Sequence, residues 1–135
     1  MITQTIYNKL AGDGELTYQL ATYEDDPAIF TTDPAPGNAE LPYIVTAGEV
    51  SSRPFDTKQT RGRELMRDVR CYTAASGSAE VVETIAERVR ALFHRQALTI
   101  EGFGWLWGNC TGPIVADEEN AYGRIVTLTL VVEET

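Results

Sequence analysis

The sequence predicts an α+β fold: a mainly antiparallel sheet of four or more strands, a long amphipathic helix packed on it and a shorter N-terminal helix. Three observations carry this. Val82, Ile85, Ala86, Val89, Leu92 and Phe93 fall on one stripe at helical spacing. Arg124 to Glu133 instead alternates, with Val126, Leu128, Leu130 and Val132 on one face and Thr127, Thr129 and Val131 on the other. That is the pattern of an antiparallel strand with one covered face. The elements run helix, strand, strand, helix, strand, strand, with no internal repeat. A chain of 135 residues suits a single domain, 1–135. It can bury a core without metal or disulfide staples.

The first thirty residues read as helical but broken. Ile6 and Leu10 share a face, Gly12-Asp13-Gly14 interrupts, and Leu16 and Leu20 resume the spacing with Asp13 as N-cap. Pro34, Pro36, Gly37 and Asn38 make residues 31–40 an irregular connector. Leu41 to Ala47 is rich in strand formers, and Pro42 is acceptable at a strand start. Ser51 to Gly62 is too polar for a core and too long for a tight turn, so it projects from a hairpin. Its return strand is Glu64 to Thr73, whose alternation is impure on both faces and leaves the buried face open. The helix runs from about Ser78 to Gln96, with Glu80, Glu83 and Glu87 towards its start and Arg88, Arg90 and Arg95 towards its end. That order suits the helix dipole. Gly104 to Thr111 is the next strand, Pro113 to Asn120 an acidic loop, and Arg124 to Glu133 the closing strand.

Charge and composition exclude several functions. Twenty acidic against eleven basic residues give a formal −9. Such a surface repels free nucleic acid, whose binding depends on Lys and Arg displacing counterions. No stretch approaches the ~20 apolar residues of a membrane helix. Met1 to Leu10 lacks an apolar signal-peptide core, so the expectation is a chain kept in the cytoplasm of the cell that makes it. Cys71 and Cys110 read as reduced, buried thiols, with a disulfide or metal site as the alternative. The single histidine, His94, stands at the end of the long helix, where it faces solvent or compensates the dipole. One His and two distant Cys do not supply a zinc set. Gly12-Asp13-Gly14 and Gly102-Phe103-Gly104 lack the strand–loop–helix context of a phosphate-binding loop and read as turns. No catalytic residue, cofactor or metal is expected.

Two features point outward. Trp105 and Trp107 on one strand face, with Phe103, form an aromatic row that is either core or a docking patch. The projecting segment carries Arg53, Lys58, Arg61 and Arg63 around Phe55 in an otherwise acidic chain. It is either a plain mobile loop or an arm that contacts a partner. Asp117, Glu118 and Glu119 of the acidic loop are its obvious complement on a neighbouring copy.

Leu41-Pro42-Tyr43-Ile44-Val45 after a Pro/Gly connector, the strand ending Asp68-Val69-Arg70-Cys71-Tyr72, the helix Ala79 to Leu92, and the acidic loop before the strand Tyr122 to Glu133 together resemble the tail-terminator, or tail-completion, proteins of siphophages and phage-like particles. The leading helix with its Gly-Asp break resembles the family's start, and the resemblance covers most of the chain. It implies a non-enzymatic virion subunit made in the host cytoplasm and residing at the head–tail junction. The subunit would form a ring, commonly a hexamer, on the last ring of the tail tube. It would stop tube polymerisation and meet the head-completion, or stopper, protein. DNA would pass through the ring without specific binding, and six copies would carry a formal −54 (6 × −9). The alternatives are another connector piece (a head-completion stopper or tail-tube subunit) or a small α+β ligand-binding domain or enzyme using the aromatic row as a pocket.

Overall fold

The computed structural model describes residues 2–47, 49–58 and 61–135. Helix α1 (Ile2–Ala11) buries Ile6 and Leu10, and α2 (Gly14–Gln19) buries Leu16. Between them Asp13 caps α2, its carboxylate accepting the Leu16 N–H at 3.0 Å. The N-terminal helical structure ends at Gln19. The helical reading of the first thirty residues is corrected here, because three two-residue strands follow: β1 (Thr22–Tyr23), β2 (Asp26–Pro27) and β3 (Ile29–Phe30). Glu24 and Asp25 turn the β1–β2 hairpin with positive φ, which breaks any helix.

The remaining elements are β4 (Tyr43–Val45), β5 (Glu49–Pro54), β6 (Gly62–Ala74), α3 (Glu80–Phe93), β7 (Phe103–Val115) and β8 (Ala121–Glu134). The main sheet has the order β3-β4-β6-β8-β7, with β5 also paired to β6. Among the described residues, only β3 and β4 run parallel. Its axis is the antiparallel β6–β8 ladder, in register from Gly62↔Glu133 to Ala74↔Ala121. At ~3.3 Å per residue this ladder spans about 40 Å.

One face of the ladder carries the core. Leu65, Val69 and Cys71 of β6 and Val126, Leu128, Leu130 and Val132 of β8 form one cluster with Val82, Ile85, Ala86, Val89 and Phe93 of α3 and with Ile6, Leu10 and Leu16. Burial of each valine, leucine, isoleucine or phenylalanine among them stabilises the fold by roughly 1.5–3 kcal/mol. The mixed pattern of β6 now has a cause. Arg67 lies on the same buried face, 4% exposed, and its Nη1 donates to Thr3 Oγ1 of α1 at 2.7 Å. A smaller cluster of Val45, Tyr72 and Ala121 with Phe30 and Tyr43 closes the β3–β4 end.

Three expected boundaries move. α3 is shorter than Ser78 to Gln96, because His94 is extended and Arg95 takes φ +56°. The arm is half strand, since β5 pairs with β6 up to Pro54↔Arg63 and only its tip projects. Gln59 and Thr60, included in the arm reading, lie outside the described residues. β7 runs on to Val115, past Pro113, which falls where the register shifts between Thr111 and Ile114. The acidic loop is therefore confined to Ala116–Asn120.

A bidentate pair braces the helices. Arg88 Nε and Nη2 donate to the two Asp13 oxygens at 2.8 and 2.7 Å. One carboxylate thus caps α2 and ties it to α3.

Substitutions on the two faces of α3 should separate sharply. Val89 is fully buried, so Val89→Asp would place an unpaired charge in the core at a cost of several kcal/mol, against a typical total of ~5–15. We expect circular dichroism to show an unfolded chain. Exposed Glu87→Arg should melt within about 2 °C of the parent, since surface changes usually lie within ±0.5 kcal/mol. A stable Val89→Asp protein would mean that the core has been assigned to the wrong face of the helix.

Candidate assembly interface

The two charged features expected from the sequence sit at opposite ends of the β6–β8 ladder. At the Gly62↔Glu133 end is the β5–β6 hairpin tip. Phe55 N–H donates to the Gly62 carbonyl at 2.9 Å, and Gly62 N–H donates to Asp56 Oδ1 at 3.2 Å. A Cβ at Gly62 would collide with the Phe55 carbonyl and lie 2.9 Å from that of Val132, so the hairpin closes only on glycine. Arg53, Lys58, Arg61 and Arg63 are all exposed here, and Phe55 is 42% exposed. Arg53 Nε also donates to Glu64 Oε1 across the hairpin at 3.0 Å, which contributes little at an exposed site.

At the Ala74↔Ala121 end lies the acidic loop. Glu118 and Glu119 are exposed. Asp117 is engaged within its own chain, accepting from Gly123 N–H at 3.0 Å and from Arg124 Nη1 at 3.2 Å. The other arm of the same guanidinium, Nη2, lies 3.3 Å from Glu83 Oε1 on α3. Arg124 is only 8% exposed and so ties the loop to the start of α3. The sequence reading missed this residue, because an Arg at a strand start carries no distinguishing pattern. The structure thus brings the four basic residues together and the three acidic ones together, and holds the two groups apart.

A third surface went unpredicted. An open groove of about 730 Å³ runs between α2 and α3, lined by Gly14, Glu15, Tyr18, Thr84, Glu87 and Ala91. Tyr18 stands 87% exposed on its wall. The Asp13–Arg88 brace fixes the two walls, and Arg88 Nη1 also reaches Glu15 at 3.2 Å. Beside Arg88 the Asp13 carboxyl is held below its ordinary range.

The aromatic row is corrected. A register shift between Trp105 and Trp107 inserts Leu106 and turns the two rings to different faces. Phe103 and Trp105 pack against the core, whereas Trp107 is 43% exposed. His94 is corrected too. Its Nδ1 accepts the Cys110 N–H at 3.0 Å, and Arg95 N–H donates to the Gly108 carbonyl at 3.2 Å. The turn after α3 therefore covers the middle of the outer edge of β7, and the imidazole serves the backbone. Desolvation, then the charges of Arg90 and Arg95, lower its pKa.

Burial pushes the Cys71 thiol up to about 12 and that of Cys110 to about 11, and both are free. Neither is a poised nucleophile. Among the described residues no group of three or more His, Cys, Asp or Glu side chains is placed to hold a metal ion.

Comparison with known proteins decides the class. A family model described as "Tail completion protein gp17" matches residues 4–131. The chain belongs to that family. It is a structural component of a phage-type virion tail, and it is not an enzyme. A search of curated proteins returned no match. Among solved structures, a chain from "Virion of native gene transfer agent (GTA) particle" has the same fold, with a TM-score of 0.80 at 16% identity over 98% of this chain and 94% of that one.

On the acid side, two perturbed groups titrate in separate windows. His94 has a folded pKa below its ordinary 6.5, so as pH falls the unfolded chain takes the proton first. Its contribution is complete above about pH 6.5 and is lost as pH falls through the lower folded value. Asp13 behaves likewise below its ordinary 3.8. Thermal melts of this tail-completion protein should lose stability in both windows. His94→Gln, which keeps an acceptor for Cys110 N–H, should flatten the upper one, and Asp13→Asn should shrink the lower. An unaltered profile between pH 7 and 5 in His94→Gln would remove the imidazole from the account.

Proposed function

We propose that this tail component is a terminator: a closed ring, of six copies as the family resemblance implies, that seats on the tail tube, ends its polymerisation and presents a surface to the head-completion protein. The observation that carries the reading is the separation of charge along one rigid ladder. The basic arm and the acidic loop of one chain are held about 40 Å apart by the strand spacing, so they cannot neutralise each other. Arg53, Phe55, Lys58, Arg61 and Arg63 of one copy would instead meet Asp117, Glu118 and Glu119 of the next. Because the two patches differ, the contact is heterologous, and such contacts close into rings when the rotation permits. Opposite charges meeting this way fix register and speed association.

In this reading α3 lies along the sheet and turns its acidic outer residues, Glu80, Glu83 and Glu87, towards the neighbour or the solvent. The acidic surplus of six copies would let DNA traverse the channel without adhering. Exposed Ile114 and Val115 beside the loop, and Trp107 on the opposite half of β7, remain for contacts with the tube or head proteins.

The test is negative-stain imaging of tail tubes polymerised with and without the protein. A terminator gives tubes that stop growing and carry one additional ring at an end. Incorporation along the tube would make the protein a tube subunit, and failure to bind would end the proposal. Native mass spectrometry should show Arg61→Glu/Arg63→Glu losing assembly, more so at low salt, where the introduced like-charge repulsion is least screened. Assembly of that variant at parental strength would take the arm out of the interface.

A further inference from the structure

We propose that the α2–α3 groove is the receptor for the hairpin arm of a second copy, with Phe55 seated against Tyr18 and Ala91 and the flanking basic residues on the acidic rim. This rests on the reading above that the arm engages a neighbouring copy, and it specifies where. The groove and the arm tip match in two independent respects. The arm tip offers one exposed aromatic ring, Phe55, flanked by Pro54 and by the charged Arg53, Asp56 and Lys58. The groove offers a concavity with an exposed tyrosine on one wall and an alanine on the other. An aromatic side chain entering a concavity, ringed by polar contacts, is the usual form of an interface hot spot.

Charge supplies the second match. Arg88 is matched within its own chain by Asp13 and Glu15, so the exposed Glu87 sets the sign of the rim. Glu83 and Glu87 are one helical turn apart, and Glu83 is joined through Arg124 to Asp117 of the acidic loop. Groove rim and acidic loop are thus one continuous acidic strip, along which Lys58, Arg61 and Arg63 can lie while Phe55 occupies the groove. The seat is preformed. A six-residue helix such as α2 would be marginal alone, but the bidentate Asp13–Arg88 pair holds it against α3.

Phe55→Ala and Tyr18→Ala alter exposed side chains and should leave the melting temperature unchanged. Each should weaken self-association, measured by native mass spectrometry in the presence of tail tubes, by about tenfold or more, as expected for a hot-spot residue. Glu87→Arg should do the same, and combining it with Arg61→Glu should restore assembly towards the parental level. Parental assembly in both alanine variants would overturn the groove while leaving the terminator reading intact. If the parent protein itself fails to assemble on tubes, that reading falls and this inference with it. Weakening by Glu87→Arg without rescue by Arg61→Glu would assign the groove to a different partner and overturn the inference.

Discussion

The β6–β8 ladder is the constraint from which the rest of the structure follows. Thirteen residues of β6 pair in unbroken register with β8. A one-residue slip would invert every side chain, exposing Leu65, Val69, Leu128 and Leu130 and burying Met66, Asp68, Thr127 and Thr129. One covered face requires α1, α2 and α3 to supply apolar residues to the same cluster, which they do. The ladder's length also fixes the distance between its two hairpins. Both hairpins turn on a glycine at a point of close approach: Gly62 beneath the Phe55 carbonyl, and Gly123 where a Cβ would lie 2.9 Å from the Tyr72 ring.

This arrangement explains why the protein works through surfaces. The histidine, both thiols and one half-buried carboxylate are here committed to structure. His94 accepts from a strand amide, both thiols are buried with raised pKa values, and Asp13 is shared between a cap and an arginine. What remains outside is a basic arm, an acidic loop, a groove between α2 and α3 and a few apolar side chains on an edge strand. Such a residue set suits a subunit whose task is to meet other structural proteins in a virion.

Much of the fold is legible in the sequence where a single period dominates. The α3 stripe and the β8 alternation are clear because one face is buried and the other, apart from Val131, is exposed or half-buried. The α+β class and the Asp13 cap follow from such local signals. β6 is obscure because Arg67 reaches Thr3 from a buried position, which no local pattern announces. The Trp row fails because one inserted residue, Leu106, reverses the alternation. The strands between Thr22 and Phe30 are hidden because two residues each are too few for a period to show. Of the candidate interface, the basic and acidic clusters are readable as composition. Their placement at opposite ends of one ladder, the Arg124 link and the groove are tertiary facts, since each joins residues dozens of positions apart.

The central claim is that the two ends of the ladder meet between neighbouring copies. Cross-linking with two single-cysteine proteins, Arg61→Cys and Glu118→Cys, tests it most directly, because the native thiols Cys71 and Cys110 are buried. Mixed and assembled on tail tubes under mild oxidation, the two should form a covalent heterodimer, while either one alone should stay monomeric on a denaturing gel. Rings that assemble yet give no heterodimer, or a variant that cross-links equally well to itself, would contradict the account.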